Sequence, residues 1–206
     1  MDMKEAQTSQ AKTMVVDDLQ ENRKAARKKR SPFSIIFEVL LYVAIIVFCI
    51  FVVPTYILQR TVVDGNSMQD TLQNGDSLLV NKFIYRIHDP ERYDIIVFPY
   101  QYEDNTYFIK RIIGLPGETI QVTDGKIYIN GQVLDESYGR EVLKSGGIAE
   151  TPITLGEDEY FVMGDNRNDS MDSRDPSVGK IKRNQIIGRA WVRIWPLSKI
   201  GILRHQ

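Results

Sequence analysis

Thiols, histidines and metal-binding patterns are nearly missing from this chain. Cys49 is its one cysteine, so no internal disulfide is possible. It lies inside a long apolar run, which removes it as a nucleophile for chemistry in water. The two histidines are His88, in RIHDPER, and His205, beside the C-terminus. Both contexts read as solvated and suit a general base poorly. No CxxC pair, no HExxH and no phosphate-binding glycine loop occurs, so neither a metal nor a cofactor is expected. The net charge of −1 argues against general nucleic-acid binding. No long amphipathic helix and no internal repeat is visible. If the chain is an enzyme, a Ser/Lys or carboxylate mechanism is what remains.

Charge is placed unevenly. Residues 1–30 hold eight Lys/Arg and five Asp/Glu, with six of the cations between Arg23 and Arg30. From Arg60 onward there are 18 Lys/Arg and 21 Asp/Glu. Between them, VLLYVAIIVFCIFVVPTYIL (Val39 to Leu58) carries no charge over 20 residues. As a helix it rises about 30 Å, the thickness of a bilayer's hydrocarbon core. A buried core helix is the alternative, disfavoured by the length and the basic flank. A cleaved signal peptide would be shorter and end in small residues; this run ends VVPTYILQR. The basic cluster RKAARKKR then puts the N-terminus in the cytoplasm. The expected organisation is a cytoplasmic basic tail (1–32), a transmembrane anchor (33–59) with Pro54 kinking its outer end, and an extracytoplasmic remainder.

After the anchor, short apolar runs alternate with turn signals. SLLVNKFIY, DIIVFPY, YFIKRII, TIQV, KIYING, EYFVMGD and QIIGRAWVRIW read as strands. The Asp-Gly of TDGK and the Asn-Gly of INGQ are hairpin turns, which makes 119–134 a small meander. Residues 135–158 read as a loop or as the rim of an inserted subdomain. The class is mainly β, with packed sheets or a barrel-like core, because several strands are apolar on both faces.

One strand holds a chemical question. In YFIKRII, Phe108, Lys110 and Ile112 share one face, and Ile109, Arg111 and Ile113 the other. An ordinary lysine is protonated at neutral pH and accepts no proton. Burial among apolar neighbours disfavours the charge and lowers the pKa, which would make Lys110 a base. The alternative is a strand lysine whose amine reaches water. Two further segments bear on the choice. In DGNSMQDTLQNGDSLLVNK, Ser67 sits in a turn that exposes a hydroxyl and backbone N–H groups, and the apolar Met68 beside it points to contact with substrate, lipid or core. In FVMGDNRNDSMDSRDPSVG, a strand runs into a loop dense with polar groups: Asp165, Arg167, Ser170, Asp172 and Arg174.

These segments together resemble the type I signal peptidases. The family pattern Ser-Met-x-Pro-Thr-Leu is met by SMQDTL (67–72), and Gly-Asp-x-x-x-Val-x-Lys by GDSLLVNK (75–82). Lys-Arg-x-x-Gly-x-Pro-Gly-Glu is met by KRIIGLPGE (110–118), and Gly-Asp-Asn-Arg-x-x-Ser-x-Asp-Ser-Arg by GDNRNDSMDSR (164–174). The likeness covers about residues 33–195. It implies a membrane-anchored serine endopeptidase that removes N-terminal signal peptides from exported preproteins. The implied fold is a β core (60–118 and 159–206), like that of signal peptidases and self-cleaving repressors, interrupted by a small β insertion (119–158). Ser67 would be the nucleophile, with its backbone N–H at the oxyanion. Lys110 would be the neutral base, and Ser170 would orient its amine. Asp165 would pair with Arg111, and Asp172 with Arg174, to support the site.

The likeness has gaps. Gly65 stands where some members place a serine hydroxyl at the oxyanion. Asp70 stands where the family usually has proline; it either weakens the base as a nearby anion or caps the turn facing water. Trp191 and Trp195 read equally as core or, with Met68, as a lipid-touching surface. A catalytically silent relative acting in assembly of surface structures is the alternative function. A self-cleaving repressor would need a DNA-binding domain, and this chain has the apolar run instead.

Overall fold

In a computed structural model of the chain, residues 31–139 and 141–204 are described. The basic cluster, the rest of the tail 1–30, and His205 lie outside them. The chain divides into two compact units, with the boundary between Phe48 and Cys49.

The first described element is α1, Pro32–Val47, with the proline in its first turn, where a missing N–H costs nothing. Helical backbone continues as a π-helix through Phe48–Ile57, which contains Pro54. Proline lacks a donor and its ring crowds the carbonyl four residues back; the wider π register accommodates both. Thr55 Oγ1 donates to the Phe51 carbonyl at 2.6 Å. The span Pro32–Ile57 is 26 residues long, and an 18-residue window within it has a mean hydropathy of 3.0 with none of that window buried. It is the one helix among the described residues long and apolar enough to cross a membrane. The helix ends at Ile57. Leu58 and Gln59 already pair with Asn81 and Val80 in a strand.

The rest is antiparallel β structure. One eight-stranded sheet has the order β1-β2-β11-β3-β4-β9-β10, with β12 on β11. Its strands are β1 (Leu58–Val62), β2 (Ser77–Asn81), β3 (Ile95–Pro99), β4 (Tyr107–Gly114), β9 (Glu159–Met163), β10 (Ile181–Lys182), β11 (Gly188–Trp195) and β12 (Gly201–Ile202). A second sheet has the order β7-β6-β5-β8, from β5 (Thr119–Thr123), β6 (Lys126–Ile129), β7 (Gln132–Val133) and β8 (Ile153–Thr154). Its hairpin turns carry Asp124-Gly125 and Asn130-Gly131, all four at positive φ, as a two-residue type I′ turn requires.

SLLVNKFIY is shorter as a strand than its composition suggests. It stops at Asn81, whose Oδ1 accepts the N–H groups of Phe83 and Ile84 at 3.0 Å each, turning the chain into a short 3₁₀ segment, Ile84–Arg86. A local side-chain bond has outcompeted the ladder.

Two apolar clusters lie against the large sheet and a third joins the sheets. Ile113, Phe161 and Met163 of the large sheet meet Ile120, Val122 and Ile127 of the small one. Burial of this kind, worth about 1.5–3 kcal/mol per large apolar side chain, fixes β4 and β9 as the rigid floor beneath the polar segments.

Candidate active site

Ser67 lies in the loop between β1 and β2. The loop is pinched at its base by Val63 N–H to the Asp76 carbonyl (2.8 Å) and Gly75 N–H to the Val63 carbonyl (2.9 Å). Gly65 adopts φ +95°, open to glycine and costly for other residues. A tight turn follows, with Gln69 N–H on the Asn66 carbonyl (2.9 Å) and Leu72 N–H on the Met68 carbonyl (2.8 Å). Among the described residues no backbone carbonyl takes the Ser67 N–H. Met68 and Leu72 are 1% and 0% exposed, in one core cluster with Val63, Leu78 and Val80. Met68 as a lipid contact is therefore corrected: its side chain is the plug that fastens the serine turn to the core, and it lies at the floor of the cleft beside Ser67.

Lys110 comes from β4. Its Nζ donates to Ser67 Oγ at 2.7 Å and stands 4.9 Å from the centre of the Phe108 ring. The side chain is 4% exposed. Burial pulls its pKa from 10.5 down to about 8, against the opposing pull of Asp172 and Asp165.

Arg111, the next residue, points to the other face, as strand alternation demands. It is fully buried. Its Nε and Nη2 donate to the two oxygens of Asp165 at 2.8 and 2.7 Å, and its Nη1 to the Tyr93 carbonyl at 2.8 Å. Thr71 Oγ1 donates to Asp165 Oδ2 at 2.6 Å, and the Tyr138 ring stacks on the guanidinium at 3.6 Å. The predicted Asp172–Arg174 pair is also formed: Nε and Nη2 reach the two carboxylate oxygens at 2.8 Å each. Asp172 Oδ2 further accepts the Gly164 N–H at 3.0 Å. These pairs stiffen the loop 164–174, which leans on the serine turn through Asn166 N–H to the Ser67 carbonyl (3.0 Å). A Cβ on Gly164 would stand 2.2 Å from Ser170 Oγ and 2.4 Å from the Ser67 carbonyl oxygen, so only glycine permits this approach.

Ser170 is placed less simply. Its Oγ is buried and finds no hydrogen-bond partner among the described residues; the structure brings it to Gly164, and into no bond with Lys110. Asp70 is exposed and has φ +87°. Proline, locked near −65°, cannot take that backbone. Asp70→Pro is therefore expected to lower stability by about 1–3 kcal/mol, read from denaturant midpoints, while Asp70→Gly holds or raises it. An unchanged midpoint in the proline variant would show that the turn re-forms.

Ser67 and Lys110 open on a cleft of about 260 Å³. One wall is Val62–Asp64 and the other Tyr107–Ile109. Among the described residues β1 pairs only with β2, and β4 engages β9 from Arg111 onward, so each wall presents a strand edge that no described residue pairs. His88 is exposed and its carbonyl accepts from Arg183 at 3.3 Å. Trp191 and Trp195 are exposed, with Leu197, Ile200 and Ile202 around them. The reading from sequence gave no role to Thr71, Glu136, Tyr138 or Asn166. Thr71 lay within a quoted motif; Glu136 and Tyr138 lay in a segment with no local signal.

A serine hydroxyl held against a buried amine is an arrangement that can support hydrolysis. Comparison with known proteins agrees. The family described as signal peptidase, peptidase S26, matches residues 36–195. A probable signal peptidase I-2 of Synechocystis is 39% identical over 158 residues, 73% of this chain and 69% of the relative. Signal peptidase I P of Bacillus subtilis subsp. natto is 36% identical over 180 residues, 84% of this chain and 96% of the relative. A crystal structure of a signal peptidase I from Enterococcus faecalis is 36% identical, covering 50% of this chain and 97% of that one, with a TM-score of 0.40. The chain belongs to the signal peptidase family, and is a peptidase of that class.

Proposed function

We propose that the chain is a membrane-anchored endopeptidase that cleaves signal peptides from exported preproteins, with Ser67 as nucleophile and Lys110 as general base. The observation that carries this is the 2.7 Å contact between Ser67 Oγ and a buried lysine amine. At pH 7 a base of pKa about 8 is neutral in roughly one molecule in ten, against fewer than one in a thousand for an ordinary lysine.

The substrate lies extended in the cleft, adding a strand to the free edges of Val62–Asp64 and Tyr107–Ile109. Ser67 Oγ attacks the scissile carbonyl as its proton passes to Lys110 Nζ. The oxyanion takes the Ser67 N–H. Lys110 returns the proton to the departing amine, then takes one from the water that attacks the ester and delivers it to Ser67 Oγ as that bond breaks. Ser170, with its hydroxyl unpartnered, orients the amine once it turns toward Nζ. Arg111, Asp165, Asp172 and Arg174 hold the supporting loop. The apolar helix anchors the chain in the bilayer with its N-terminus cytoplasmic and the β unit outside, and the exposed Trp191 and Trp195 rest on lipid.

The test is cleavage of a signal-bearing preprotein by the full chain in detergent. We expect kcat/KM to rise with pH through a midpoint near 8, and Ser67→Ala to abolish cleavage. A Ser67→Ala protein cutting at the parent rate sinks the mechanism.

A further inference from the structure

Residues 135–139 and 141–148, between the small sheet's β7 and β8, lie against the loop 164–174. Their strongest grip is Glu136, whose carboxylate accepts from both terminal nitrogens of Arg167, Nη2 to Oε2 at 2.8 Å. Both side chains are nearly buried, 10% and 3% exposed. Arg167 Nε in turn donates to the Gly164 carbonyl at 3.1 Å. A second grip is Asn168, whose Nδ2 donates to Glu141 Oε2 (2.8 Å) and the Val142 carbonyl (3.1 Å) while its Oδ1 accepts the Lys144 N–H (3.0 Å). A third is Ile148 N–H on the Arg174 carbonyl at 2.9 Å. Gly139, at φ +83°, lets the segment pass against Arg167, where a Cβ would stand 2.7 Å from Cγ.

This chain of contacts ends at the backbone carbonyl of Ser67. Gly164 abuts Ser170 and the Ser67 carbonyl, and Asn166 holds that carbonyl. Asp169 and Met171 of the same loop line the cleft with Lys110.

We propose that Glu136, acting through Arg167, is a positioning residue for hydrolysis: Glu136, with residues 141–148, clamps the 164–174 loop over Ser67 and Lys110 and keeps water from the lysine amine. This rests on the Ser67–Lys110 reading above. The amine faces the Ser67 hydroxyl and the Phe108 ring. Asp172 and Asp165 act on it from the loop, and Asp64 and Asp169 are the other charges lining its cleft. A loosened loop admits water, and burial is the chief cause of the lowered pKa, so the clamp reports in the pH profile as well as in rate.

The test uses the full chain with a signal-peptide substrate, comparing Glu136→Ala, Glu136→Gln and Asn168→Ala with Glu159→Gln, which breaks an ion pair to Lys180. We expect Glu136→Ala to lower kcat by about tenfold or more, since small misplacements near the chemistry cost this much, with KM within about twofold. Its pH midpoint should move up by about half a unit or more as solvent reaches the amine. Glu136→Gln should recover part of both, Asn168→Ala should shift both the same way, and Glu159→Gln should shift neither. Should Glu136→Ala fail to fold, Asn168→Ala decides the matter alone. Parent-like kcat and pH midpoint in the folded variants overturn the clamp while leaving the mechanism intact. Full activity in Lys110→Ala would instead overturn the reading beneath it.

Discussion

Lys110→Met is expected to reduce kcat/KM by about 10²–10⁴-fold, the usual contribution of a positioned general base, while the fold survives. Methionine nearly matches lysine in length and suits the apolar surroundings that Phe108 and Ile109 provide. The stability of the two proteins should diverge with pH in a defined direction. The amine's pKa is about 8 in the folded chain and 10.5 in an ordinary setting. The unfolded chain therefore binds more protons between those values, and the parent's stability rises as pH climbs from 8 to 10.5. Below 8 the burial penalty is present in full, about 3 kcal/mol for a shift of this size. Lys110→Met lacks that penalty, so it should exceed the parent in stability at neutral pH and converge with it near pH 10.5. Denaturant titrations at pH 6, 8 and 10 measure this. A methionine variant with parent-like activity, or a parent whose stability is flat across the window, contradicts the picture. The loss of activity alongside gained stability would mark Lys110 as a residue kept for chemistry at the expense of the fold.

Asp165→Ala is expected to cost about 3–5 kcal/mol, because it leaves Arg111 as a buried, uncompensated cation. Arg111 has no exposed surface, and the two charge-assisted bonds to Asp165 are its main neutralisation. The Tyr93 carbonyl and the Tyr138 ring remain, but neither carries a charge. Activity should fall further than stability alone explains, since Asp165 sits in the loop whose neighbour Asn166 holds the Ser67 carbonyl. Pairing the change with Arg111→Met should restore much of the stability, because removing both charges leaves nothing unpaired. The double variant should remain slow, its loop no longer tied to β4. Equal stability of Asp165→Ala and the parent, by chemical denaturation, would mean that water reaches the guanidinium.

Local rules made much of this molecule legible from residues alone. The uncharged run could only be helix in an apolar setting, since a span of that length must satisfy its backbone internally. Asp-Gly and Asn-Gly announced their hairpins because few other dipeptides tolerate positive φ twice in succession. Strand alternation separated Lys110 from Arg111 before any partner was known. An error arose where a side chain acted on nearby backbone: Asn81 ended a strand early. Whether Met68 met substrate, lipid or core stayed open, because burial is a property of the packed molecule, invisible in the turn that contains it.

The order of charged, apolar and glycine-rich segments was thus enough to determine an apolar helix, a β body and its hairpins. Tertiary structure alone decided that 43 residues of separation between Ser67 and Lys110 close to a hydrogen bond, and that Glu136 reaches Arg167 from another sheet's loop. It also decided that Asp70 holds a backbone angle closed to proline. The reason is the same in each case. Local preferences depend on a few neighbouring dihedrals, whereas proximity, dehydration and the pKa that follows from it depend on which surfaces the whole chain buries together.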